Sequence, residues 1–175
     1  MKLLIIGHGR HGKDSVSEYL SEKHNLSFES SSRFCSKHFI FKALSDDYEN
    51  EEECYSDRHN HRKVWYDMIC AFNQRDPSLL GRLIFEQHDI YCGLRNKKEY
   101  FAMKNNGVFD YAIWVDRSDH LPEESKDSMS LEHWMADYTI DNNGTIEDLH
   151  NNIDELLEYL QAPEKQLRNT FAKSF

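Results

Sequence analysis

Apolar runs and apolar stripes alternate along this chain from its first residues. Leu3 to Ile6 are continuously apolar and end at Gly7, the pattern of a strand buried on both faces in a parallel sheet. From Lys13 onward Val16, Tyr19 and Leu20 recur at helical spacing, so a helix follows the glycine-rich segment directly. A short strand is expected at Leu26 to Glu29. A helix is expected over Phe34 to Leu44, with Arg33 and Lys37 sharing one face by the i, i+4 rule. The stretch Asp46 to Glu53 holds six carboxylates in eight positions and reads as a solvated loop. Val64, Trp65, Met68, Ile69 and Phe72 then form an apolar helical stripe, and a second short helix is expected at Leu79 to Phe85, beyond Pro77.

The second half repeats the alternation. Ile90 to Leu94 reads as a buried strand, Lys97 to Lys104 as a helix, Asn106-Gly107 as a turn and Tyr111 to Val115 as a strand, which together make a βαβ unit. Polar residues from Asp116 to Glu132 carry no steady period and suggest a mobile loop or small lid. A strand at Tyr138 to Ile140 leads through a turn to a helix with Ile146, Leu149, Ile153, Leu156, Leu157 and Leu160 on one stripe. Thr145 is its expected N-cap, with Asp148 in the capping-box position. Strands alternating with helices predict a three-layer α/β domain with a mostly parallel sheet of about five strands, whose ligands bind at the carboxyl ends of the strands.

Length and composition narrow what such a domain does. At 175 residues the chain fits one domain, where ~150 is usual. The formal net charge of -10, with no long basic run, argues against a nucleic-acid partner. No apolar stretch approaches the ~18 residues of a membrane span. Cys35, Cys54, Cys70 and Cys92 are scattered without a C-x-x-C pair, which places the expected chain in a reducing cytoplasm with free thiols. A homodimer is left open. Glycine is scarce, seven residues in all, yet Gly7, Gly9 and Gly12 fall within six positions.

That cluster carries the chemistry. Gly7-His8-Gly9-Arg10-His11-Gly12-Lys13 is G-x-x-x-x-G-K between a buried strand and a helix, the context of a phosphate-binding loop. Glycines let backbone N–H groups curve around a phosphate, the helix N-terminus adds favourable potential, and Lys13 supplies a mobile cation. The expected phosphate-binding set is Gly9, Arg10, His11, Gly12, Lys13, Asp14 and Ser15. A hydroxyl residue usually follows the lysine to hold Mg²⁺; here it is Asp14, with Ser15 one place later. Asp14 and Ser15 are the candidate metal residues, Asp14 as a direct or water-mediated ligand or else only as a complement to the helix dipole.

The G-K-D-S ending resembles the G-K-D-[ST] loop of phage deoxynucleoside monophosphate kinases, a branch of the P-loop nucleoside monophosphate kinases. Arg95-Asn96-Lys97-Lys98-Glu99 after a strand is similar to that family's D-x-R-x-x-x-E segment, and Tyr138 to Gly144 to its closing strand and turn. Gly93 stands where the family has its strand-end Asp, which puts in doubt a magnesium carboxylate from that strand. The resemblance implies a P-loop NTPase fold over residues 1–161, with a helical acceptor-site insert at 58–87, a lid-like segment at 116–134 and a C-terminal tail at 162–175. It implies ATP and Mg²⁺ as cofactors, small-molecule nucleotides as partners, and the host cytoplasm if phage-encoded.

On this reading Lys13, Arg95 and Arg117 carry catalysis, with Arg95 pointing into the acceptor site and Arg117 near the donor nucleotide. Arg33, Lys37, Arg62 and Tyr66 join Arg95 as acceptor-binding candidates, Arg62 for phosphate and Tyr66 for stacking a base. The expected function is phosphoryl transfer from ATP to a nucleoside or deoxynucleoside monophosphate. Two alternatives stay open: another small phosphorylated or hydroxyl acceptor, and an inactive nucleotide-binding protein.

Overall fold

The computed structural model describes residues 1–126 and 128–162; most of the expected tail at 162–175 lies outside the described residues. Strand β1 (Leu3–Ile6) is buried along its whole length because it pairs on both edges, in parallel with β3 (Ile90–Cys92) and with β4 (Tyr111–Asp116). Strands β2 (Phe28–Ser30) and β5 (Tyr138–Asp141) complete a five-stranded sheet in the order β2-β3-β1-β4-β5, every described pairing parallel.

The continuous apolar run of β1 divides between two cores. Leu3 and Ile5 face α1 (Lys13–His24) and α8 (Ile146–Gln161), meeting Val16, Leu20, Leu149, Ile153, Leu157 and Leu160. Leu4 and Ile6 face the opposite layer, where Trp65, Leu80, Ile84 and Tyr100 lie with Tyr91 and Trp114 of the sheet. Alternate side chains of a strand point to opposite faces, so a strand covered on both sides must be apolar throughout. Thr145 caps α8, accepting from the Asp148 N–H while Asp148 accepts from Thr145, the full capping box.

Several boundaries differ from the periodicity. Asn25, at φ 55°, closes α1, and the Leu26 N–H returns to the Leu20 carbonyl at 3.4 Å, so the chain is still turning where β2 was expected to begin. The helix expected from Phe34 starts earlier, as α2 (Ser31–Cys35), because Ser30 accepts from the Arg33 N–H at 3.1 Å. It continues through a π-helical turn (Ser36–Ile40) into α3 (Phe41–Ala43). The acidic stretch is not all loop: Asn50 caps α4 (Glu51–Asp57), and three glutamates sit in the first turn, where the helix dipole favours them. Then come α5 (Arg62–Phe72), α6 (Leu79–Phe85) and α7 (Lys97–Asn105). Strand β3 ends at Cys92 because Gly93 takes φ 91°, a turn that an Asp there would enter only with strain.

The segment after β4 has no regular element among its described residues until a short 3₁₀ turn (His133–Met135), as its lack of period implies. It is nonetheless docked, since Met129 and Leu131 are buried in the core below it.

Candidate active site

The glycine-rich loop leaves β1 at the carboxyl edge of the sheet and enters α1. Gly7 has φ 144°, and a Cβ there would stand 2.6 Å from the Val115 carbonyl of the neighbouring strand. Gly12 has φ 96°, and a Cβ there would collide with the Asn142 amide nitrogen. Arg10 takes φ 66°, the left-handed conformation that a non-glycine residue enters at some cost. The curved backbone this produces ends at Lys13, whose side chain is only 8% exposed and donates to the His8 carbonyl at 2.5 Å across the loop. Burial holds the Lys13 ammonium below the usual lysine range, against the neighbouring carboxylates.

A cavity of about 260 Å³ opens beside the loop. Lys13, Gly9, Arg10 and Asp14 line it. Arg95, from the turn after β3, and Arg62, from the start of α5, line it with them. Trp65, Tyr66 and Ile69 of α5, Tyr91 of β3 and Leu94 line it as well, together with the polar Ser31, Arg58, Asn96 and Glu99. The lining therefore joins cationic side chains beside the phosphate loop to the aromatic Trp65, Tyr66 and Tyr91.

Of the residues expected from the sequence, Gly9, Arg10, Lys13, Asp14, Arg62, Tyr66 and Arg95 all meet in this one cleft. Others stand apart. Ser15 is exposed and outside the cleft lining. Arg33 pairs with Glu52 at 2.5 Å and Glu51 at 3.4 Å and stacks over Tyr55, while Lys37 pairs with Glu29 at 3.0 Å. Neither lines the cavity; the acidic α4 and β2 engage them first. Arg117 lies behind the loop: its guanidinium donates to the Asn142 carbonyl at 2.6 Å, and its N–H donates to His11 Nδ1 at 3.0 Å. His11 is fully buried and shapes the loop from beneath, with its carbonyl accepting from Asn142.

Three residues outside the expected set complete the site. Asn142, after β5, donates to the His11 carbonyl at 2.9 Å and accepts from Arg117, so it braces the loop against the end of β4. Glu124, in the segment after β4, reaches back to the loop: its carboxylate accepts from the Gly9 N–H at 2.6 Å, from Arg95 at 2.8 and 2.9 Å, and from Arg62 at 3.1 Å. Its own N–H donates to His8 Nδ1 at 3.1 Å. Burial opposes the charge on Glu124, yet Arg95, the Gly9 N–H and Lys13 together hold the carboxyl below the usual range. The third is Glu99 on α7, 5% exposed on the chamber wall, which burial pushes up to about 7 against an opposing contribution from the Asn73 amide.

For a divalent cation the cleft offers hard oxygen donors. Asp14 keeps one oxygen clear of the Cys92 thiol, which donates to the other at 3.5 Å, and this chemistry suits Mg²⁺. No cluster of three or more His, Cys, Asp or Glu able to hold a metal occurs among the described residues, so the remaining ligands would be phosphate oxygens and water.

Comparison with solved structures matches this arrangement at the level of fold. Shikimate kinase from Bacteroides thetaiotaomicron is similar over 93% of this chain and 99% of its own, with a TM-score of 0.54 and 9% identity. That from Aquifex aeolicus gives a TM-score of 0.53 at 16% identity over 90% of this chain and 96% of its own. The enzyme from Acinetobacter baumannii, in complex with shikimate, gives 0.51 at 11% over 91% and 92%. The chain has the P-loop NTPase fold. No protein-family model matches it, and no curated protein does. Among the described residues no helix is long and apolar enough to cross a membrane, and all four cysteines are free thiols.

Proposed function

We propose that this chain transfers the γ-phosphoryl group of ATP to a nucleoside or deoxynucleoside monophosphate, giving the diphosphate. The observation that supports this is a single cleft in which the phosphate loop and Arg58, Arg62 and Arg95 stand with the aromatic side chains Trp65, Tyr66 and Tyr91, which offer faces for a base. The loop amides and Lys13 hold the donor phosphates, with Asp14, which lines the cleft where Ser15 does not, the chain's candidate contact to Mg²⁺. Bound Mg²⁺ would offset phosphate charge in such a reaction. Arg95 and Arg62 align the acceptor phosphate, Tyr66 stacks its base, and Arg117, behind the loop, serves the donor side. Within the kinase domain at 1–161, residues 58–87 then act as the acceptor-side insert and 116–134 as the lid.

An acceptor phosphate is already an anionic nucleophile at neutral pH, so no general base is needed. Catalysis rests on alignment and on cations that meet developing charge. One observation favours a second reading, transfer to a hydroxyl of a small metabolite: a carboxylate, Glu124, stands at the loop where a hydroxyl nucleophile would need a base. The test is ADP formation from Mg-ATP with a panel of ribo- and deoxynucleoside monophosphates, with shikimate as the hydroxyl acceptor. Nucleotide-stimulated ADP formation that Lys13→Ala abolishes, in a variant with unchanged circular dichroism, is expected. Near-normal ADP release by Lys13→Ala would sink the loop assignment, and stimulation by shikimate alone would favour the second reading.

A further inference from the structure

The aromatic chamber holds one carboxyl that phosphoryl transfer does not use. Glu99 occupies the third position of α7, behind the N-cap Asn96, where a glutamate ordinarily folds back onto the cap's own N–H. Here the Asn96 side chain accepts from the Lys98 and Glu99 N–H groups, but Glu99 does not complete the box. It is instead almost wholly buried and lines the cavity. No salt bridge to it is made among the described residues, although Arg95 lies one turn earlier and goes to Glu124. Its charge raises the titration of the neighbouring Tyr66, Cys70, Tyr91 and Cys35, and the side chain that hydrogen-bonds to it, Asn73, is a neutral amide.

A buried carboxyl without a counter-charge is costly, and beyond what the Asn73 amide donates its oxygens keep lone pairs for a ligand that brings hydrogen-bond donors. At ~300 Å³ a pocket takes one small ligand, and this cavity is close to that size. With phosphate at the arginines, the part of a mononucleotide left to enter the chamber is its base. Among the bases, guanine presents two adjacent donors, N1–H and N2–H₂, which match two carboxylate oxygens. Uracil and thymine flank a single N–H with carbonyls that the carboxylate repels. Adenine and cytosine set a ring acceptor beside the amino group.

Resting on the nucleotide-acceptor reading above, we propose that Glu99 is the specificity-determining residue of the acceptor chamber and selects a guanine nucleotide through that donor edge. Tyr66, held by a hydrogen bond from Asn96 at 3.2 Å, supplies the stacking face beside it.

The test is calorimetric binding of GMP and AMP to the full chain, wild type and Glu99→Gln, alongside the acceptor panel. The glutamine conserves shape and replaces one acceptor oxygen by a donor. Wild type is expected to bind GMP at least ~10-fold tighter than AMP, and Glu99→Gln to lose ~100-fold or more for GMP with little change for AMP. A merely structural role for Glu99 would weaken both nucleotides together. Equal binding of GMP and AMP by wild type, or a GMP affinity untouched by Glu99→Gln, would overturn the proposal. Selective GMP binding without phosphoryl transfer would leave Glu99 in its role and remove the kinase reading instead.

Discussion

Glu99 has a cost that can be measured apart from any ligand. Its carboxyl stands at about 7 in the fold, against 4.5 in an exposed chain. Below the lower value both states are protonated and the group is neutral to stability. Between the two the unfolded chain releases its proton while the fold retains it, so stability falls as pH rises. Above about 7 both are ionised and the full cost, on the order of 3 kcal/mol, is in place. Glu99→Gln should therefore match wild type in urea denaturation near pH 4 to 5 and exceed it near pH 8. Parallel stability curves across that range would show that the carboxyl is solvated rather than buried. A residue that lowers stability at neutral pH yet closes the wall of a cavity fits the pattern of a site maintained for function.

Elements rather than single residues decide access to the phosphate loop. The segment after β4 is anchored at its far end by Met129 and Leu131 and at its near end by Glu124 on the loop itself. On the kinase reading a donor phosphate on the loop would compete with Glu124 for the Gly9 N–H, and an acceptor phosphate would compete with it for Arg95, so nucleotide binding would displace Glu124. Glu124→Gln keeps an acceptor for Gly9 but removes the competing charge, and should tighten ATP binding by about 10-fold, a charge-assisted bond being worth ~1.5–3 kcal/mol. Calorimetry reads this directly; weaker binding would mean that Glu124 assists the nucleotide. The glycine loop, β1 and the capped stripe of α8 are legible in the sequence because their determinants are local: spacing, caps and a short motif. Glu124 and Asn142 are not, because what they do depends on which strand ends the sheet order brings together. Arg33 and Lys37 illustrate the same limit, since their i, i+4 spacing is real but tertiary packing gives them Glu51, Glu52 and Glu29 as partners.

Across the whole molecule, charge is arranged so that an acidic protein can still receive an anion. The net charge is -10, and basic side chains away from the cleft are commonly paired with carboxylates, as Arg33, Lys37 and Lys97 are with Glu52, Glu29 and Glu132. Arg10, Lys13, Arg62 and Arg95 converge in one concave site, where low-dielectric walls focus their field on an approaching phosphate. That steering is screened by salt, whereas a hydrogen bond made deep in the chamber is not. Raising ionic strength from about 0.01 M to about 0.15 M, which shortens the Debye length from about 30 Å to about 8 Å, should raise the KM of every mononucleotide acceptor several-fold. The ratio of kcat/KM between guanine and adenine acceptors should stay constant, because both carry the same phosphate and differ only at the edge that meets Glu99. Steady-state kinetics at the two ionic strengths separate these quantities. A base preference that drifted with salt would move the discriminating group out of the chamber and onto the charged rim.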